Sequence, residues 1–151
     1  MSYTRWGISF VVAGALALTG CASEPVTPEA TPSATSTVLP EIPPEFDPEG
    51  TAAINKPYFD WVVLKYLQGS PKYNDQSMVA ALVDAGFTKK DIEITPSTTG
   101  TSQPADSIIV SVKMGDNCLI GQRMHDNSYS SSLEKVLSSG TCLVGETQPI
   151  N

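Results

Sequence analysis

From Ala22 to Ala53 the chain is almost entirely Pro, Thr, Ser, Ala and Glu, with no Lys or Arg, which confines any hydrophobic core to the residues beyond it. This stretch (EPVTPEATPSATSTVLPEIPPEFDPEG) has no apolar periodicity and cannot bury enough surface to offset its chain entropy. Its prolines bias it towards extended polyproline II, at about 3.1 Å per residue. Residues 21–54 therefore read as a tether. Within it, Val38 to Phe46 (VLPEIPPEF) is apolar enough to lie along a domain surface or to serve as a Pro-rich ligand motif. The acids Glu24, Glu29, Glu41, Glu45, Asp47 and Glu49 supply most of the formal net charge of −7. From Lys56 onward acids and bases nearly balance, leaving no electrostatic footprint for nucleic acid and no polybasic membrane patch.

Ahead of the tether, residues 1–20 have the three parts of a secretory signal. Met1 to Arg5 is a short basic region, Trp6 to Leu18 is uncharged and mostly apolar, and Leu18-Thr19-Gly20-Cys21 is a lipobox. The apolar run is shorter than the ~20 residues that a membrane-spanning helix needs. On this reading Cys21 becomes the first mature residue and its sulfur takes a diacylglyceryl group. One acyl chain anchors marginally and two make a durable anchor. An ordinary secretory peptide with Cys21 there by chance is the plainer alternative.

Asn55 to Asn151 is left to make one small domain with a modest core, which benefits from a staple. Asn55, followed by Lys56-Pro57, fits the N-cap of a helix. Phe59, Val62, Val63, Tyr66 and Leu67 then mark one buried face. A second helix opens at Asn74 or Asp75, buries Met78, Val79, Leu82 and Val83, and ends at Gly86 with Phe87 folding back. A turn through Gly-Ser-Pro-Lys-Tyr joins the two as a helical hairpin. The period then changes to two. DIEIT (91–95), SIIVSVKM (107–114) and CLIGQRM (118–124) read as strands, the last two joined by a turn at Gly115-Asp116-Asn117, and Gly140 to Val144 reads as another short extended piece. Ser131-Ser132-Leu133-Glu134 fits a capping box for a short helix through Leu137. The expected fold is α+β: an N-terminal helical hairpin on an antiparallel sheet of three to four strands, with a short C-terminal helix.

With Cys21 assigned to lipid, Cys118 and Cys142 have one intramolecular pairing, and the extracytoplasmic compartment permits it. A metal site using His125 and Asp126 between them is the alternative, but the paired spacings that zinc sites favour do not occur. No metal or other cofactor is expected. His125, Asp126 and the serines Ser128, Ser130, Ser131 and Ser132 are too close in sequence to satisfy triad geometry, and there is no GxSxG elbow. Arg123 and His125 share one strand face and are the candidate contacts for an anionic ligand. Asp91 and Glu93 also share a strand face, expected to point to solvent. Tyr58, Trp61 and Tyr66 could line a groove, though aromatic residues at helical spacing are usually core.

Five segments carry a resemblance: Asn55 to Asp60, Ala81 to Phe87, Ala105 to Ile108, Cys118 to Gln122 and Gly140 to Gly145. They resemble an uncharacterised domain family found in actinobacterial lipoproteins, with the paired CLIGQ and GTCLVG blocks as its most specific part. The resemblance implies an envelope lipoprotein with a disulfide-linked domain and brings no activity and no catalytic residues. The function expected is that of a non-enzymatic module. It is anchored to the extracytoplasmic face of the cell membrane through lipidated Cys21 and binds an envelope protein or cell-wall partner. The rivals are a small hydrolase or ligand-binding accessory working through Arg123 and His125, and a structural spacer.

Overall fold

The computed structural model of the protein describes residues 39–69 and 75–150. The segments read as a signal, with its lipobox at Cys21, and as most of the tether, and residues 70–74, where a turn is expected, lie outside the described residues. Helix α1 spans Ala52–Gly69 and α2 spans Asp75–Asp84. After a single 3₁₀ turn at Lys89–Asp91 come the strands β1 (Ile92–Ile94), β2 (Ser107–Met114), β3 (Asn117–Met124) and β4 (Tyr129–Lys135). The four strands form one antiparallel sheet in the order β1-β2-β3-β4.

The first helix starts one turn before the sequence suggests. Thr51 is the cap: the Ile54 N–H donates to its Oγ1 at 3.4 Å and the Asn55 N–H to its carbonyl at 3.1 Å. Asn55 is not an N-cap but a buried side chain inside the first turn, with none of its surface exposed. Its amide donates to the Asp47 carbonyl at 2.7 Å and accepts from the Asp47 N–H at 2.9 Å. A buried amide needs such partners, and here they lie in the chain ahead of the helix. Leu39 and Phe46 pack on the core as well, so the folded unit takes in the last part of the segment read as tether.

The end of α2 is a Schellman motif: the Phe87 N–H reaches the Leu82 carbonyl (3.0 Å) and the Gly86 N–H the Val83 carbonyl (2.9 Å). Gly86 takes φ +101°, a conformation that a Cβ disfavours. Phe87 and Leu82 are both buried, completing the hydrophobic contact of that motif. Val83 stays partly exposed, whereas Leu64 joins the buried face of α1.

Alternation along the strands divides the sheet into two faces. The helices cover Ile92, Ile94, Ile108, Val110, Val112 and Leu119, which with Phe59, Val63, Met78 and Leu82 make the core. Gly121 lies on the same face, and a Cβ there would meet the Tyr129 hydroxyl at 3.0 Å and the Phe59 ring at 3.2 Å. The absence of a side chain is what lets α1 sit this close to β3.

Gly140 to Val144 forms no strand, and the C-terminal helix expected over 131–137 is not formed: residues 131–135 belong to β4. The turn before them decides this. The Asn127 N–H donates to the Met124 carbonyl, and Asn127 itself is left-handed at φ 66°. The Met124 N–H then bonds the Ser128 carbonyl, a type I turn with a bulge that sends the chain back along β3. A serine-rich stretch this short is costly to nucleate as a helix. As a strand it pairs with β3 from Arg123↔Tyr129 to Asn117↔Lys135.

Beyond β4 the chain crosses the other face of the sheet. Cys142 is bonded to Cys118 of β3, with their Cα atoms 5.6 Å apart. Farther on, the Gln148 N–H donates to the Ile94 carbonyl at the β1 edge (2.8 Å). The C-terminal strap therefore runs from one edge of the sheet to the other, fastened at its middle.

Candidate functional site

The sequence candidates Arg123 and His125 lie at the end of β3 and in the turn that follows it. His125 is an exposed central residue of the β3–β4 turn. Arg123, on the helix-covered face, donates to the Asn127 side chain in the same turn. Asp126 accepts from the Ser128 N–H at 2.9 Å, and the bonds to Ser128 hold its carboxyl below the usual carboxylate range. The carboxylate that would orient a catalytic histidine is thus engaged in fixing the turn. Among the described residues no group of three or more His, Cys, Asp or Glu side chains could hold a metal ion.

Two polar clusters escape sequence reading because their members are far apart in the chain. In the first, the Lys56 ammonium pairs with Asp60 one helical turn on, at 2.8 Å, and also donates to Ser131 of β4. The buried Tyr129 hydroxyl donates to the other Asp60 oxygen at 2.8 Å. A lysine beside a serine invites comparison with a Ser–Lys nucleophile pair. That chemistry needs a lysine lone pair facing the hydroxyl, and here the ammonium donates to the serine and to a carboxylate. The cluster fastens α1 to the edge strand.

Burial raises the pKa of the Tyr129 phenol, and the Asp60 carboxylate raises it further. The unfolded phenol loses its proton near 10.0 while the folded one keeps it, so above that pH the folded state binds more protons and its stability falls as pH rises. Tyr129→Phe should flatten this alkaline decline by one proton, read as the difference in urea midpoint between pH 9 and pH 11. An unchanged pH slope would disprove the coupling.

The second cluster corrects the expectation for Glu93. Its carboxylate does not point to solvent: it accepts from the Cys142 N–H (3.1 Å) and the Leu143 N–H (2.8 Å), clasping the strap beside the disulfide. Asp91, in the 3₁₀ turn, does not share this role.

The arrangement best suited to binding lies on the helices. Tyr58, Trp61 and Tyr66 are half-buried at the edge of the core, and with Val62, Lys65, Gly69, Ala81, Asp84 and Ala85 they line a groove of about 430 Å³. The Tyr58 and Trp61 rings are nearly parallel, 6.4 Å apart, and Lys65 lies 4.4 Å from the Trp61 ring centre. The Tyr58 hydroxyl donates to the Ala85 carbonyl (3.0 Å), bridging the two helices under the groove. A larger cleft of about 540 Å³ sits near the β2–β3 turn, where Glu49, Asp91 and Asp116 mix with Lys113 and Lys135, so its charges favour no single ligand.

A family model described as a domain of unknown function, DUF6993, matches residues 63–146, more than half of the chain. The chain belongs to the DUF6993 family. The match takes in α2, the whole sheet and both disulfide cysteines, and it begins part-way along α1. Of the groove residues, Lys65, Tyr66, Gly69, Ala81, Asp84 and Ala85 fall inside it, whereas Tyr58 and Trp61 precede it. No curated protein and no solved structure matches the chain.

Proposed function

We propose that this protein is a cell-envelope lipoprotein, anchored through lipidated Cys21 on the extracytoplasmic face of the membrane, that presents its DUF6993 domain as a binding module rather than an enzyme. The anchor rests on the complete signal segment and lipobox at Leu18 to Cys21. The observation that carries the binding role is the groove between α1 and α2, where aromatic faces meet a rim carrying one charge of each sign, Lys65 and Asp84. Concave surfaces lined by aromatic side chains with a few polar groups are the usual form of a ligand site.

Cys21→Ala should move the protein from the membrane fraction to the soluble fraction; an unchanged distribution would refute the anchor. The binding role is tested by crosslinking in intact cells. A partner captured by the parent chain should be lost with Tyr66→Ser, which alters the groove without emptying the core. Equal capture by both would refute the groove as the binding surface.

A further inference from the structure

The described chain begins at Leu39, beside the groove. Leu39 packs on the core, and the Trp61 indole N–H donates to the Pro40 carbonyl at 3.2 Å. Farther along, Phe46 stacks on Tyr58 (5.1 Å) and meets Phe87 (4.9 Å). Traced from Phe46 back to Leu39, this strap moves from Tyr58 to Trp61, towards the C-terminal end of α1. The groove continues the same way, through Lys65, Tyr66 and Gly69. An aromatic groove that donates to the carbonyls of a proline-rich strand is the means by which polyproline II ligands are recognised. At Leu39–Pro40 and again at Phe46 the protein already holds part of its own proline-rich segment against these rings.

The residues just upstream suit the rest of the groove. Between Glu29 and Glu41 the chain carries no charge, and Pro32–Val38 (PSATSTV) is made of small and β-branched side chains. Ala81, Ala85 and Gly69 leave the groove without long side chains to obstruct a strand. An uncharged strand enters it without stripping water from a carboxylate. Trp61 to Gly69 spans about 12 Å of helix, which about four residues of extended chain cover. A segment joined directly to the groove also binds at a high effective concentration.

We propose that the groove binds an extended, uncharged strand and that its resident occupant is the chain's own Pro32–Val38. This rests on reading the groove as the binding surface, and it adds that a partner strand must displace the tether. The test uses the full chain carrying Trp6→Phe, which makes Trp61 the sole indole of a protein with two. Ala34→Glu with Val38→Glu introduces charge into the occupant while leaving the described residues intact. Trp61 emission should then shift to the red and become more open to acrylamide. The synthetic peptide PSATSTV should bind this variant about tenfold more tightly than the parent, the factor expected when nine-tenths of the parent grooves are filled. Unchanged emission, equal affinity for the two chains, or binding to neither overturns the proposal. The crosslinking loss with Tyr66→Ser is read separately, so the groove stands as a partner site if only the occupant fails.

Discussion

Phe59→Ala is expected to lower the unfolding free energy by about 3–5 kcal/mol, the usual cost of truncating a fully buried phenylalanine. Phe59 has none of its surface exposed. It sits where the layers meet: its ring lies edge-on to Phe87, 6.1 Å between centres, and against the bare backbone of Gly121 in β3. Removing it opens a cavity between α1 and the sheet that neither can fill, because the Lys56–Asp60–Tyr129 cluster holds the helix in place. A small domain holds about 5–15 kcal/mol in all, so the variant should unfold at far lower urea with an unchanged slope. Phe59→Leu, which keeps most of the volume, should cost less than the alanine change. If the two cost the same, packing at this joint is not what holds the layers together.

The second large effect is that of the disulfide. Replacing both Cys118 and Cys142 by alanine should cost about 3–4 kcal/mol, the chain entropy released by opening a loop of this size in the unfolded state. The two cysteines are 24 residues apart. The folded strap keeps its other attachments in the variant, namely the Glu93 carboxylate on the Cys142 and Leu143 amides and the Gln148–Ile94 bond. The sheet and helices should therefore retain their far-UV signature while the urea midpoint drops and the slope rises, since an uncrosslinked chain exposes more surface on unfolding. Equal midpoints would mean that the strap, and not the covalent bond, restrains this part of the chain. Mass analysis of the parent without reductant should show the pair lighter by two hydrogens.

The places where sequence and structure part share one cause. Helix α2 was legible to its last residue because its periodicity and the glycine of its Schellman turn are local. β2 and β3 were legible because alternation and Gly115 are local too. Ser131 to Glu134 matched a helix cap by residue type, but its conformation was settled by the open edge of β3 and a turn that aims the chain along it. Asn55 matched an N-cap by type, yet its partner is the backbone of Asp47. Glu93 resembled a solvated strand acid until Cys142, 49 residues on, placed two amides before it. The groove was half visible: its aromatic residues stood out at helical spacing, and only the docking of α2 and the Pro40 carbonyl decided that they line a groove at the edge of the core.

By itself the sequence determined the α+β class, both helices, the three N-terminal strands, a single possible cysteine pair once Cys21 is set aside, and membership of a family without a known activity. The class, helices and strands follow from neighbours a few residues apart, where periodicity, caps and turns act, and the cysteine pair follows from counting. Only the tertiary structure decided the fourth strand, the strap across the open face of the sheet, the Lys56–Asp60–Tyr129–Ser131 fastening and the groove beside Trp61. These depend on which side chains and backbone amides meet across long stretches of chain, and burial and hydrogen bonding select such contacts only when the layers close.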